Sequence, residues 1–103
     1  MDFLDVPGAS GAQYRFRRTS LAELPATAGN LIAVTGTHQR RRFVLCGAAR
    51  SLTQARPAIE AALGESRGVK LFMRLNVART VREAEHADIV AAVEPETNLP
   101  DLG

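Results

Sequence analysis

Apolar and polar positions along this chain change period several times. Val69, Leu71, Met73, Leu75 and Val77 alternate with Lys70, Phe72, Arg74 and Asn76, and that period of two predicts a strand over residues 69–76. A shorter alternation over residues 13–19 sets Tyr14, Phe16 and Arg18 on one face and Arg15 and Arg17 on the other, a second strand. Residues 31–35 and 42–46 are apolar, β-favouring runs joined by Gly36-Thr37-His38-Gln39-Arg40-Arg41, which predicts a hairpin with arginines at its tip. Helical spacing appears twice. Ser51 with Gln54 has capping-box spacing ahead of Ile59, Ala62, Leu63 and a stop at Gly64, predicting a helix over 53–63 that must accommodate Pro57. Thr80 with Glu83 repeats that spacing, and His86, Ile89, Val90 and Val93 then stand at i, i+3, i+4 and i+7, predicting a helix over 79–94 closed by Pro95. Ser20 and Glu23 are spaced likewise, but Pro25 limits them to about one turn.

These elements predict an α/β (α+β) domain, a small antiparallel sheet of three to four strands flanked by helices. Residues 1–12, with the run Pro7-Gly8-Ala9-Ser10-Gly11, read as a flexible lead-in, residues 13–98 as one domain, and residues 99–103, with Pro100, as a loose tail. A chain of 103 residues has room for one hydrophobic core. An apolar share of 46% beside 23% charged residues is the balance of a folding chain rather than a disordered one. Cys46 is the only cysteine, so neither an intrachain disulfide nor a thiolate metal cluster is available, and it reads as a small buried hydrophobe. The start lacks the pattern of a signal peptide and no apolar run approaches a membrane span, so the expected location is the cytoplasm, with no membrane partner.

Charge is unevenly spread. Residues 15–56 carry Arg15, Arg17, Arg18, Arg40, Arg41, Arg42, Arg50 and Arg56 against Glu23 alone, although the whole chain has a formal charge of only +2. Arginine rather than lysine supplies almost all the positive charge, and its planar fork suits phosphate. Arg40, Arg41, Arg42, Arg50 and Arg56 are therefore the candidate nucleic-acid-binding residues. His38 has no evident partner and reads as solvated. His86 is the candidate for acid–base chemistry, weighed against a hydrogen-bonded histidine at the edge of the core.

The order strand, strand, helix, strand, helix carries local landmarks that resemble the GIY-YIG nuclease family. Leu24-Pro25 followed by Gly29-Asn30-Leu31 resembles the family's "LP…GIY", Leu45-Cys46-Gly47 before Ala48-Ala49-Arg50-Ser51-Leu52 resembles "YIG" and its continuation, and His86 to Pro95 and Asn98 has the spacing of the family's "E..LI…..P..N". The likeness covers about residues 24–98. It implies two tyrosines, a helix arginine and a glutamate that together hydrolyse a phosphodiester with a divalent cation. Those four positions fall here on Leu31, Leu45, Ala55 and His86, whereas Gly29, Gly47 and Asn98 keep the family's pattern. Leucine and alanine can neither activate water nor stabilise charge, and imidazole is a poor ligand for a hard cation. The resemblance thus implies a non-catalytic module binding nucleic acid weakly and without sequence preference, with no cofactor. A second reading is a protein-interaction or assembly subunit that uses the former catalytic face around Leu31 and Leu45. A third is an endonuclease using Mg²⁺ at a site rebuilt from Tyr14, Arg50, Arg56 and Glu83.

Overall fold

The computed structural model describes residues 2–37 and 39–102, with the side chains of 101 and 102 left aside. The fold is α+β: a mixed sheet of six strands with one helix on each face. In chain order the elements are β1 (Phe3–Pro7), β2 (Gln13–Thr19), a 3-10 turn (Leu21–Glu23), β3 (Gly29–Thr35), β4 (Arg42–Ala49), α1 (Leu52–Leu63), β5 (Lys70–Leu75), α2 (Arg79–Val93) and β6 (Thr97–Leu102). Across the sheet the order is β1-β2-β5-β3-β4-β6, antiparallel throughout except that β6 runs parallel to β4. No helix among the described residues is long and apolar enough to cross a membrane.

Topology dictates where the helices go. β4, β5 and β6 point the same way, so α1, leading from β4 to β5, and α2, leading from β5 to β6, are both crossovers between parallel strands. Such crossovers are almost always right-handed, and these two travel in opposite directions across the sheet, so they take opposite faces. Two cores result. Leu31, Ala33, Leu45, Leu71 and Met73 meet Leu52, Ala55 and Ile59 of α1, whereas Ile32, Val34, Cys46, Phe16 and Phe72 meet Ile89 of α2, with Leu4 and Val6 from β1. Residues 29–34 of β3 are consequently all buried.

Several expectations are corrected here. The sheet has six strands, not three or four, and it is mixed. Residues 3–7, expected in a flexible lead-in, form β1, because Leu4 and Val6 are buried in the α2-side core. Residues 97–102, which include most of the expected tail, form β6; Leu99 packs towards α1 while Pro100 sits on an edge strand, where a missing N–H is tolerated. The capping box at Thr80 does not form: the N-cap of α2 is Ala78, two residues earlier and without a side-chain cap, and Glu83 pairs with Arg79 at 2.7 Å. Ser51 does cap α1, accepting from the Gln54 N–H at 3.3 Å, and the Leu52 and Thr53 N–H groups donate to the carbonyls of Thr27 and Pro25.

Polar groups fasten α2 to the sheet. Arg82, 2% exposed, donates to the carbonyls of Asn76 and Val77, its own carbonyl accepts from Asn30, and Asn76 joins Asn30 to Glu85. Asp88 accepts from the Ser10 N–H and hydroxyl at 2.8 and 2.6 Å and from the Tyr14 hydroxyl at 2.8 Å, which ties the β1–β2 turn to the helix. A Cβ on Gly8 would lie 2.0 Å from an Asp88 oxygen, so a larger residue there would push that carboxylate off its partners.

Removing the aliphatic centre of the α2 contact should be costly: Ile89→Ala is expected to lower the free energy of unfolding by about 2–5 kcal/mol in a denaturant titration. The hydrogen bonds from Ser10 and then Tyr14 hold the Asp88 carboxyl below the usual carboxylate range. A depressed folded-state pKa contributes stability above the unfolded value, about 3.9, and loses it as pH falls through the folded value. Urea midpoints should therefore decline with acidification below about pH 4, and decline less steeply in Asp88→Asn.

Candidate nucleic-acid interface

The four positions implied by the GIY-YIG likeness do not meet. Leu31 and Leu45 are 1% and 0% exposed in the α1-side core, with Ala55 of α1 packed in the same cluster. His86 lies on the other side of the sheet, buried under α2. It does meet Asn98: Nε2 stands 2.6 Å from Asn98 Oδ1, and because an amide oxygen only accepts, Nε2 carries the proton. Gly29 has a packing reason to be glycine, since a Cβ would lie 2.5 Å from the Arg74 carbonyl oxygen; a Cβ on Gly47 would make only ordinary contacts.

His86 and Asn98 line a groove of about 460 Å³ between α2 and β6, with walls of Glu83, Ala87, Val90, Ala91 and Pro100. Cys46 is opposite Asn98 in the β4–β6 register and belongs to the α2-side core, so thiol, imidazole and amide share one region. They do not form a nucleophilic set. Burial pushes the Cys46 thiol up to about 12, and no hydrogen bond joins it to His86. A thiol so held is protonated at neutral pH, and the thiolate is the nucleophile. Of the other rebuilding candidates, Tyr14 is bonded to Asp88 and Glu83 to Arg79, while Arg56 pairs with Glu60 at 2.6 Å.

The arginines sort by end of the sheet. Arg50 is exposed at the bend after β4, far along that strand from Arg42 at its start. Arg42 forms an ion pair with Glu96, as Arg56 does with Glu60, so both already face a carboxylate. Arg40 and Arg41 lie at the tip of the β3–β4 hairpin; His38, in the same connection, lies outside the described residues. The tip is tight: Gly36 has φ +92°, a Cβ there would lie 2.2 Å from the Arg40 carbonyl oxygen, and the Arg40 N–H donates to Thr37.

Strand order then adds two cations that the sequence alone does not bring in. β5 pairs with β2 through Arg18 opposite Phe72 and with β3 through Lys70 opposite Val34, so the end of β2, the start of β5 and the hairpin tip share one end of the sheet. The Arg18 guanidinium stands 5.7 Å from the centre of the Phe72 ring. Beside it is a recess of about 80 Å³ floored by Leu4, Val34 and Phe72 and walled by Gly36, Thr37, Arg41 and Lys70. No carboxylate lines it among the described residues. The signal in the sequence was the alternation that put Arg18 and Lys70 on definite strand faces; the missing step was the β2–β5–β3 adjacency.

No family model, curated protein or solved structure matches the chain.

A buried thiol without a base predicts slow chemistry. Cys46 should resist a thiol-specific reagent at about pH 8 in the folded protein, although a free thiol of ordinary pKa, about 8.5, reacts there. Full labelling should follow unfolding in urea, and rapid labelling of the native protein would contradict the burial.

Proposed function

We propose that the chain is a non-catalytic, GIY-YIG-like domain that binds nucleic acid through the basic end of its sheet. The observation that carries this reading is a recess lined by Arg41 and Lys70 with no carboxylate in its described lining, with the Arg18 guanidinium standing 5.7 Å from the Phe72 ring at its floor. Arg40 on the exposed tip adds a further charge beside them. Cations gathered on one edge neutralise neighbouring phosphates and release counterions, which gives affinity without sequence preference. Arg42 and Arg56 contribute less than their sequence suggests, because each would have to leave a glutamate.

Support for the absence of hydrolysis comes from side-chain chemistry and placement together. Leu31, Leu45 and Ala55 offer no proton acceptor and no positive charge, and the sheet separates them from His86. The same burial weighs against an assembly surface at the former catalytic face, since Leu31 and Leu45 present almost nothing to a partner.

Binding of single- and double-stranded DNA and RNA, followed by fluorescence anisotropy at several salt concentrations, tests the reading. Three or four neutralised phosphates give a slope of log affinity against log salt of roughly −3 to −4 on duplex DNA. Reversing Arg18, Arg41 and Lys70 to glutamate should abolish binding, and Arg56→Glu should leave it unchanged. With Mg²⁺ or Mn²⁺ present the nucleic acid should stay intact. Absence of binding at low salt, or binding that survives the triple reversal, would remove the proposal.

A further inference from the structure

The recess at the basic end has dimensions that select among phosphates. At about 80 Å³ it is a small recess. Cavities that hold drug-sized ligands begin at about 300 Å³. The recess is therefore of a size for a small group, such as a single tetrahedral oxyanion, rather than for a drug-sized ligand. Its floor is apolar and closed, with Leu4, Val34 and Phe72 at 6%, 4% and 1% exposure. Charge–charge attraction over such a floor is less screened than on an open surface.

The walls offer donors. Arg41 brings a guanidinium fork and Lys70 an ammonium. The Thr37 oxygen accepts from the Arg40 N–H at 3.2 Å, which leaves the Thr37 hydroxyl proton to donate. An internal phosphodiester carries a single charge, has two non-bridging oxygens and is flanked by sugars on both sides. A terminal phosphate monoester carries about −1.5 to −2 at neutral pH, presents three free oxygens and is tethered on one side only.

We propose that the recess formed by Gly36, Thr37, Arg41 and Lys70 over Leu4, Val34 and Phe72 receives the terminal phosphate of a nucleic-acid strand, with Arg18 and Arg40 placed to meet the phosphates that follow. This deepens the nucleic-acid reading above and rests on it. The domain then prefers phosphorylated strand ends to internal sites.

The test compares three single strands of one sequence, with a 5′-phosphate, a 3′-phosphate or no terminal phosphate, by fluorescence anisotropy at fixed ionic strength. One phosphorylated strand is expected to bind about tenfold more tightly than the unphosphorylated one, the scale of one added charge-assisted hydrogen bond. Inorganic phosphate, replacing chloride at equal ionic strength, should erase that advantage, because free and strand-borne phosphate compete for one recess. Thr37→Val, in an exposed turn, should also erase it while the unphosphorylated strand binds as before, and Lys70→Gln, which weakens both strands, should bring their affinities together. Equal affinity for all three strands overturns the end-specific recess and leaves the general binding reading standing. Failure of all three to bind overturns both. An advantage that survives in both Thr37→Val and Lys70→Gln places the terminal phosphate elsewhere and also overturns the proposal.

Discussion

Burial of β3 on both faces is the constraint from which the rest of the structure follows. The connection through α1 travels from β4 to β5 and the connection through α2 from β5 to β6, so a right-handed path for each puts one helix on either side. Alternate residues of β3 then serve two cores, Leu31 and Ala33 under α1 and Ile32 and Val34 under α2. That partition separates Leu31, Leu45 and Ala55 from His86. The charged ends of β2 and β5 meet at the hairpin end of the sheet.

The two helices dock differently. α1 presents Leu52, Ala55 and Ile59 to an apolar surface, and its first N–H groups are met by the 24–27 segment. α2 buries Arg82, His86 and Ile89, and is located by directional bonds to Asn30, Asn76, Ser10, Tyr14 and Asn98. Buried polar groups are costly unless satisfied, and only Arg82 Nε lacks a partner among the buried side-chain atoms described. Such a network fixes the helix angle and keeps β1 and β6, both edge strands, attached to it.

Where one face of an element meets solvent, the sequence is legible. β2 has the predicted bounds and the predicted sides for Phe16 and Arg17, and the hairpin and both helices stand where the patterns put them. The alternation in β5 identified the strand but turned Phe72 outward, because a period-2 pattern does not announce a second covering helix; Phe72 is 1% exposed. β1 and β6 were hidden by Pro7-Gly8 and Pro100, residues that read as loop punctuation yet are admissible on an edge. The candidate interface was legible in its local part, Arg40 and Arg41. Arg18 and Lys70 join them only through long-range pairing, and the withdrawal of Arg42 and Arg56 depends on Glu96 and Glu60.

What the basic end offers is a set of cations on an apolar floor, while the groove at His86 offers a hydrogen-bonded histidine–asparagine pair among mostly apolar residues with Glu83 at its wall. The two predict different footprints for a polyanion. Amide chemical-shift changes in isotope-labelled protein titrated with single-stranded DNA at low salt decide between them. The account predicts the largest changes at Arg18, Gly36, Thr37, Arg41 and Lys70 and none at His86, Ala87 or Asn98; changes gathered around His86 and Asn98, with the hairpin tip unmoved, would contradict it.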